Sequence, residues 1–390
     1  MTKLLAPLQS LKQGHWFKLI CGASFQHLPA VRNLTIAYTL AGADCIDVAA
    51  DPAVIAAVHE GLQVAKDLVE EAQARGFGWQ GNLPLLMVSL NDGEDPHFRK
   101  AEFNPQYCPA NCPRPCERIC PAQAIVFNNQ KDSFSGIITD KCYGCGRCVP
   151  ACPYEIIFTS SYVSTPGAIA PLVMSTGIDA IEIHTKVGRL ADFQRLWTGI
   201  APWINKLKLV AISCNDGEGL IDYLQAIYDL ITPHCQELIW QTDGRSMSGD
   251  IGDGTTIATI KLGQKVLTAN LPGYVQLAGG TNSYTVPKLK AMELLKETGE
   301  KGSHCGLGVS PSGESGVAGS KGENLSSAFI AGVAYGSYAR VLLSPIFEQL
   351  ENQEVSSTGI QASVGLEKNP ELLWQAVELA NSLVSQIKSQ

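Results

Sequence analysis

Apolar residues recur along the chain in two alternating rhythms. Short runs at 17–21, 45–49 and 85–90 are rich in aliphatic residues and read as strands. Between them the apolar positions widen to helical spacing, over 29–42 and then through Val54, Val58, Leu62, Ala65 and Val69. Asp51 is placed to cap this second helix, since its carboxylate can accept from the unpaired N–H groups of the first turn. Pro52 suits the first helical position, where no N–H is needed. This strand–helix spacing predicts parallel strands joined by crossover helices.

The rhythm stops at a turn over 91–95 and resumes after Thr165. Five further strands are predicted at 179–184, 208–213, 237–242, 274–278 and 327–333. Helices are predicted at 189–199, 220–231, 254–269, 286–297 and 337–348, and the Gly/Ser-rich stretch 302–324 reads as a loop. Three strands before the break and five after it make eight, the number that closes a (β/α)8 TIM-like barrel in the α/β class. An open doubly wound sheet shares the rhythm and is the alternative. The expected organisation is a first part of the barrel over 1–91, an inserted module over 92–164, the rest of the barrel over 165–350, and a linker with a C-terminal helix over 351–390. In that last helix Asn369 caps, Pro370 enters the first turn, and Leu372, Leu373, Ala376 and Leu379 form the apolar face.

Composition narrows the function. Of 390 residues, 45% are hydrophobic and 17% charged, enough for a sizeable core. The formal charge of −8, from 29 basic and 37 acidic residues, argues against nucleic acid and against a polybasic membrane anchor. Lys3, Lys12, His15 and Lys18 interrupt every early apolar stretch, so no export signal is expected. No run of about 20 uncharged apolar residues suggests a membrane span. A cytoplasmic, reducing location is the expectation.

Eight of the thirteen cysteines fall between Cys108 and Cys152. In a reducing compartment such thiols are kept for metal rather than for disulfides. Cys142, Cys145, Cys148 and Cys152, followed by Pro153, give C-x2-C-x2-C-x3-C-P, the bacterial ferredoxin run. Three thiolates at steps of three can wrap one corner of a 4Fe-4S cubane, with Gly144 and Gly146 letting the backbone approach the sulfides. The fourth thiolate sits on a diverging chain and serves the other cluster in two-cluster ferredoxins. Upstream, Cys108, Cys112, Cys116 and Cys120 end likewise in Cys-Pro, and an isoleucine stands five residues after both Cys120 and Cys152. Short strands are expected at 125–127 and 136–139 across a turn, the pseudo-twofold of a ferredoxin-like α+β module. The crossed assignment gives one cluster to Cys108, Cys112, Cys116 and Cys152, and a second to Cys120, Cys142, Cys145 and Cys148. The upstream spacing is x3 rather than x2, and Pro109, Pro113 and Pro115 oppose a regular helix. That leaves 4Fe-4S and 3Fe-4S both open for the first cluster. Zinc on four cysteines is the main rival and disulfides the next, but zinc sites usually pair two separated C-x2-C knuckles.

Three features together resemble the light-dependent period protein family of cyanobacteria. They are the cysteine module, the segment Gln241-Thr242-Asp243-Gly244-Arg245-Ser246-Met247-Ser248-Gly249-Asp250-Ile251-Gly252, and Ala334-Tyr335-Gly336-Ser337-Tyr338-Ala339-Arg340. The resemblance implies a non-enzymatic iron–sulfur redox sensor that relays light-dependent cellular redox state to the circadian clock. It also implies clock-input and oscillator proteins as partners.

Other positions invite chemistry. Gly279-Gly280-Thr281-Asn282 and Gly336-Ser337 follow the last two predicted strands, where phosphate-binding barrels, flavin-dependent ones included, hold a phosphate. A flavin there would make the alternative, an oxidoreductase passing electrons from the clusters to a flavin or substrate at the barrel mouth. Asp243 and Arg245 stand just past the sixth strand, either as a catalytic pair or as charges that cap a tight loop shaped by Gly244, Ser248, Gly249 and Gly252. Glu182 and His184 fall on one side of the fourth strand, as an interior pair or as acid–base machinery. Cys21, Cys45 and Cys214 read as buried structural thiols, and Cys235 and Cys305 stay unassigned. No catalytic residue is assigned.

Overall fold

The structure, a computed structural model, describes residues 6–22, 28–77, 82–93, 99–120, 124–128, 134–138, 142, 148–161, 171, 173–231, 237–244, 254–296, 329–356 and 365–388. The chain opens with strands β1 (Trp16–Gly22), β2 (Cys45–Ala49) and β3 (Leu85–Asn91). Four short strands follow in the inserted segment: β4 (Arg99–Glu102), β5 (Ile125–Val126), β6 (Gly136–Ile137) and β7 (Phe158–Ser161). Then come β8 (Ala180–Thr185), β9 (Leu209–Asn215), β10 (Leu238–Asp243), β11 (Tyr274–Ala278) and β12 (Ile330–Tyr335). The described helices are α1 (Ala6–Gln13), α2 (Leu28–Leu40), α3 (Pro52–Asp67), α4 (Val69–Ala74), α5 (Pro115–Ile119), α6 (Cys148–Ala151), α7 (Leu190–Ile200), α8 (Leu220–Ile231), α9 (Thr256–Thr268), α10 (Thr285–Ala291), α11 (Ser337–Ser356) and α12 (Pro370–Lys388).

Eight strands close into a barrel in the order β1-β12-β11-β10-β9-β8-β3-β2, every pair parallel. The open-sheet alternative is thereby excluded. The seam between first and last strand runs Trp16↔Gly332 to Leu19↔Tyr335. Gly332 is required there, because a Cβ would stand 2.5 Å from the Trp16 carbonyl oxygen. Alternate residues face the helices: Phe17, Leu19, Ile46, Val48, Leu86, Val88, Ile181 and Ile183 join the main apolar core. Each such side chain, fully buried, contributes about 1.5–3 kcal/mol. The interior floor is apolar as well, with Trp16, Leu85, Met87, Leu209 and Ile239 closed from below by Leu8 and Leu11 of α1. That helix has no strong signal in the sequence, since it is short and its apolar run is broken by polar residues.

Two boundaries move. The eighth strand spans Ile330–Tyr335 rather than 327–333, because Tyr335 still pairs with Leu19 and its ring stacks on Phe17. Helix α10 ends at Ala291, well short of 297, since Glu293 is left-handed at φ 55° and breaks the helical path. The predicted loop 302–324 lies outside the described residues. Asp51 and Asn369 cap as the sequence suggests, with Val54 N–H donating to Asp51 at 3.4 Å and Leu372 N–H to Asn369 at 3.1 Å. Helix α12 is fastened to the barrel by Lys388, whose Nζ donates to Asp44 at 2.5 Å.

The inserted segment leaves after β3 and returns before β8. Its ends meet in the antiparallel ribbon β4–β7, from Arg99↔Ser161 to Glu102↔Phe158. The sequence hides this ribbon, for Arg-Lys-Ala-Glu shows no apolar alternation. The expected pair forms within the segment as β5–β6, with Ile125↔Ile137. The prolines do prevent a continuous helix over the first cysteines. Even so, Pro115 opens the five-residue α5, where its missing N–H costs nothing.

Candidate metal centre and barrel interior

The inserted segment places seven of the eight predicted ligands among the described residues; Cys145 lies outside them, as do Gly144 and Gly146. Cys108 follows the turn Pro105–Tyr107, whose entry is held by Asn104 accepting from Gln106 N–H at 3.0 Å. Cys116 sits in α5 and Cys120 just after it, while Cys148 opens α6 and Cys152 follows that helix. None of the ten described cysteines is in a disulfide. Burial pushes the Cys108 thiol up, and the nearby thiols of Cys112 and Cys152 push the same way. Burial likewise raises Cys116, which also feels Cys152, Cys108 and Cys112. These four thiols therefore share one neighbourhood. Cys120 and Cys142 pack with Cys116, Cys148, Cys152, Ile125 and Ile157 in a separate small core.

Thiols brought together in this way keep their protons unless a cation binds them, because neighbouring thiolates under cover repel. The donor set fits an iron–sulfur group. Backbone N–H groups already point at sulfur: Arg114 to Cys112 at 3.4 Å, Ala124 to Cys120 at 3.3 Å and Ala101 to Cys142 at 3.4 Å. Such N–H···S bonds stabilise metal-bound thiolates and tune cluster potentials. Ala101 belongs to β4, so the ribbon that joins the segment to the barrel also touches a candidate ligand.

The upper half of the barrel interior is polar, in contrast to its floor. Lys18 at the centre of β1 is fully buried and ion-paired to Asp47 of β2 at 2.9 Å and to Glu182 of β8. Its third proton goes to Gln241 Oε1 at 3.0 Å. Burial disfavours the Lys18 charge, but Asp47 and Glu182 outweigh it and keep the ammonium. Gln241 Nε2 donates to Glu182 at 2.6 Å, and Gln276 Nε2 donates to Gln241 Oε1 at 2.6 Å. The Trp16 indole completes the chain by donating to Gln276 at 2.5 Å. His184 Nε2 lies 3.2 Å from Glu182 Oε1, so the predicted pair exists, as one edge of a larger network. Asp243 does not cap its loop; it turns inward and accepts from Ser213 Oγ. Burial and the Glu182 charge push Asp243 up to about 7. Burial also pushes Asp47 up, opposed by Lys18. Sequence reading missed Lys18, Asp47, Gln241 and Gln276; the available signal was a polar residue at the inward register of an otherwise apolar strand.

At the mouth, Arg189 reaches Asp92 at 3.3 Å over Gly93, where a Cβ would collide with the guanidinium at 1.2 Å. Gly279 and Gly280 are left-handed, and their carbonyls accept from Thr259 and Thr255. Arg340 donates to the Ile20 and Cys21 carbonyls at 3.2 and 3.1 Å and to Ser337 Oγ at 3.2 Å. Arg245, Ser248, Gly249 and Gly252 lie outside the described residues, as do Cys235 and Cys305. Cys21, Cys45 and Cys214 are buried thiols, with burial pushing Cys21 and Cys214 up to about 12. Among the described residues no helix is long and apolar enough to cross a membrane.

Comparison with known proteins adds two kinds of likeness. Residues 108–163 match the LdpA Fe-S cluster-binding domain, and residues 172–386 match the Light dependent period A C-terminal domain. The protein "Light dependent period A" of Synechococcus elongatus is 44% identical over 382 residues, covering 98% of this chain and 94% of its own. Solved structures are more distant. A tryptophan synthase of Mycobacterium tuberculosis aligns with TM-score 0.39 at 12% identity, covering 98% of this chain and 99% of its own. The tryptophan synthase subunit alpha of Legionella pneumophila aligns with TM-score 0.39 at 10% identity and 100% coverage of both chains. The barrel stands on its own strand order, not on these likenesses.

Proposed function

The chain belongs to the light dependent period A family, and from that premise we propose that it is an iron–sulfur redox sensor reporting light-dependent electron supply to the circadian clock. Cys108, Cys112, Cys116 and Cys152 would hold one cluster, and Cys120, Cys142, Cys145 and Cys148 the other. The observation that carries this reading is the small core in which Cys116 and Cys120 of the first motif pack with Cys142, Cys148 and Cys152 of the second, joining the two halves of the cysteine motif. When bound, the clusters supply a one-electron change of charge. The protein's part is to hold the thiolates, aim N–H groups at their sulfurs, and tie the cysteine segment to the barrel through β4 and β7. A change of charge beside Cys142 bears on Ala101, and so on the ribbon that a partner would read. Clock-input and oscillator proteins would be its partners, as the resemblance implies.

The test begins with protein prepared without oxygen. Iron and acid-labile sulfide are assayed, flavin is extracted from the same sample, and EPR spectra are taken after reduction. Eight irons with matching sulfide, two EPR signals and no flavin are expected for two 4Fe-4S clusters, or seven irons if the first is 3Fe-4S. Cys116→Ser should damage one signal and Cys145→Ser the other. Zinc in place of iron, or both signals surviving both variants, sinks the ligand assignment. Stoichiometric flavin would favour the oxidoreductase. For the sensing step, immobilised protein poised oxidised or reduced is incubated with cyanobacterial extract. Clock proteins should be retained preferentially in one redox state.

A further inference from the structure

The barrel interior holds more negative charge than it can neutralise. Among the described residues Asp47 and Glu182, wholly buried, and Asp243, partly buried, supply three carboxylates against the single ammonium of Lys18. Lys18 spends its three protons on Asp47, Glu182 and Gln241, so none is left for Asp243. Among the described residues Asp243 receives only neutral donors, Ser213 Oγ–H and, at 3.4 Å, Gln241 Nε2–H. Lys18 faces the network from β1, Asp47 and Cys45 from β2, Glu182 and His184 from β8, Ser213 from β9 and Gln276 from β11, and the Cys214 thiol of β9 also feels the Asp243 charge. Among the described residues no cation lies within ion-pair distance of Asp243. In a poorly polarisable interior, a carboxylate beside another carboxylate and without its own cation holds a proton far above its usual range.

We infer that the barrel is a proton-responsive element, taking up and releasing one proton at Asp243 and changing the hydrogen bonding at the end of β10 as it does so. The step is simple in its balance. The carboxylate takes a proton from solvent and becomes a carboxylic acid. Its O–H is then a donor, and the Ser213 hydroxyl turns from donor to acceptor. The strand end is built to register such a change. Asp243 O accepts from Asn215 at 3.1 Å, and Gly244 N–H is held by the Ala278 carbonyl at 3.1 Å. Gly244 is pressed so close to α9 that a Cβ would lie 2.2 Å from Thr259 Cα. Its residues lie on barrel strands and not among the cysteines, so it would give the protein a second input beside electron supply.

The pH dependence has a definite sign. Asp243 holds its proton more tightly folded than unfolded, where an aspartate titrates near about 3.9. The folded state then binds more protons, so this group's contribution to stability falls as pH rises from about 4 to about 7 and is flat above. The experiment uses the full chain with its clusters loaded. Infrared difference spectra between pH 6 and pH 8 should show a protonated carboxylic-acid band that disappears in Asp243→Asn. Melting temperatures between pH 5 and pH 7 should show Asp243→Asn gaining on the wild type as pH rises, with no further gain above. Ser213→Ala removes a donor to the carboxylate and should move the infrared transition up by about half a pH unit. Asp216→Asn, at a surface carboxylate paired with Lys265, should change neither reading. Absence of an Asp243-dependent band overturns the inference, as does a melting difference that stays constant with pH. If Asp243→Asn fails to fold, an unmoved transition in Ser213→Ala overturns it instead.

Discussion

The barrel and the cysteine segment solve the problem of burial in opposite ways. The barrel strands are five to seven residues long, each paired on both sides, and Trp16, Phe17, Leu19 and Tyr335 are wholly buried. The segment offers strands of two to four residues and helices of four and five. Its small core of Ala101, Cys116, Ile125, Cys148, Cys152 and Ile157 is half cysteine. Large apolar side chains that could have enlarged that core stay outside, Tyr107 at 70% exposure and Phe158 at 56%. The barrel is thus held by apolar surface removed from water, whereas the segment has little of its own to bury. A region of this kind gains its order from what its thiolates bind, so folding and cofactor binding become one event.

The largest expected effect follows from that contrast. Stripping the clusters, by chelation in air or with paired Cys116→Ser and Cys148→Ser changes, should abolish amide protection across 99–161 and leave the barrel protected. Hydrogen exchange read by mass spectrometry checks this, and a protected segment without iron would break the comparison. The converse change comes next. Trp240 is 1% exposed and its indole N–H donates to Pro272 O at 2.9 Å, so Trp240→Ala should cost about 3–5 kcal/mol in urea unfolding. Iron content of the folded fraction should not change.

How much of this was legible in the sequence differs between the same two regions. Seven barrel strands stand within a residue or two of where apolar runs place them and the eighth is shifted towards Tyr335, because parallel strands under helices must be apolar on one face and the interior floor is apolar too. The cysteine spacing pointed to iron, since ligand geometry is local in sequence. What stayed hidden depends on contacts between distant residues. Lys18, Asp47 and Glu182 come from three separate strands, and each alone looks like a polar interruption. The β4–β7 ribbon is equally silent, because Arg99–Glu102 carries no apolar pattern and its partner lies beyond both cysteine motifs. Asp243 was visible, but its direction was not: loop charge and inward carboxylate have the same one-letter signature.

Within the barrel the comparison can be sharpened by separating charge from packing. Lys18→Met keeps the volume and removes the ammonium, leaving Asp47 and Glu182 buried without it. A cost of about 3–5 kcal/mol is expected, comparable to losing Trp240, and measured in the same unfolding assay. A cost under about 1 kcal/mol would mean that the network is better neutralised than its geometry implies. A smaller effect is expected at the last helix. Asn369→Ala removes the side-chain oxygen that accepts from Leu372 N–H and should cost about 1 kcal/mol.

The smallest effect tests whether the barrel rim is independent of the cysteine segment. Arg32 of α2 grips Glu367, in the turn before α12, with two bonds of 2.8 Å. Burial works against the Glu367 carboxylate, but the Arg32 bonds outweigh it and hold its pKa below the usual value. The folded state then binds fewer protons than the unfolded chain. The stabilisation is complete above the unfolded value of about 4.3 and is lost as pH falls through the lower folded one. The pair is partly exposed, so solvent screening leaves Glu367→Gln a cost of about 0.5–1 kcal/mol at pH 7. That cost should shrink in acid until variant and wild type unfold alike, as urea titrations at pH 7 and pH 3 would reveal. The EPR signals at pH 7 should be identical in the two proteins. If they differ, the rim and the cysteines are coupled, and the division between a barrel held by apolar burial and a segment held by its ligands no longer stands.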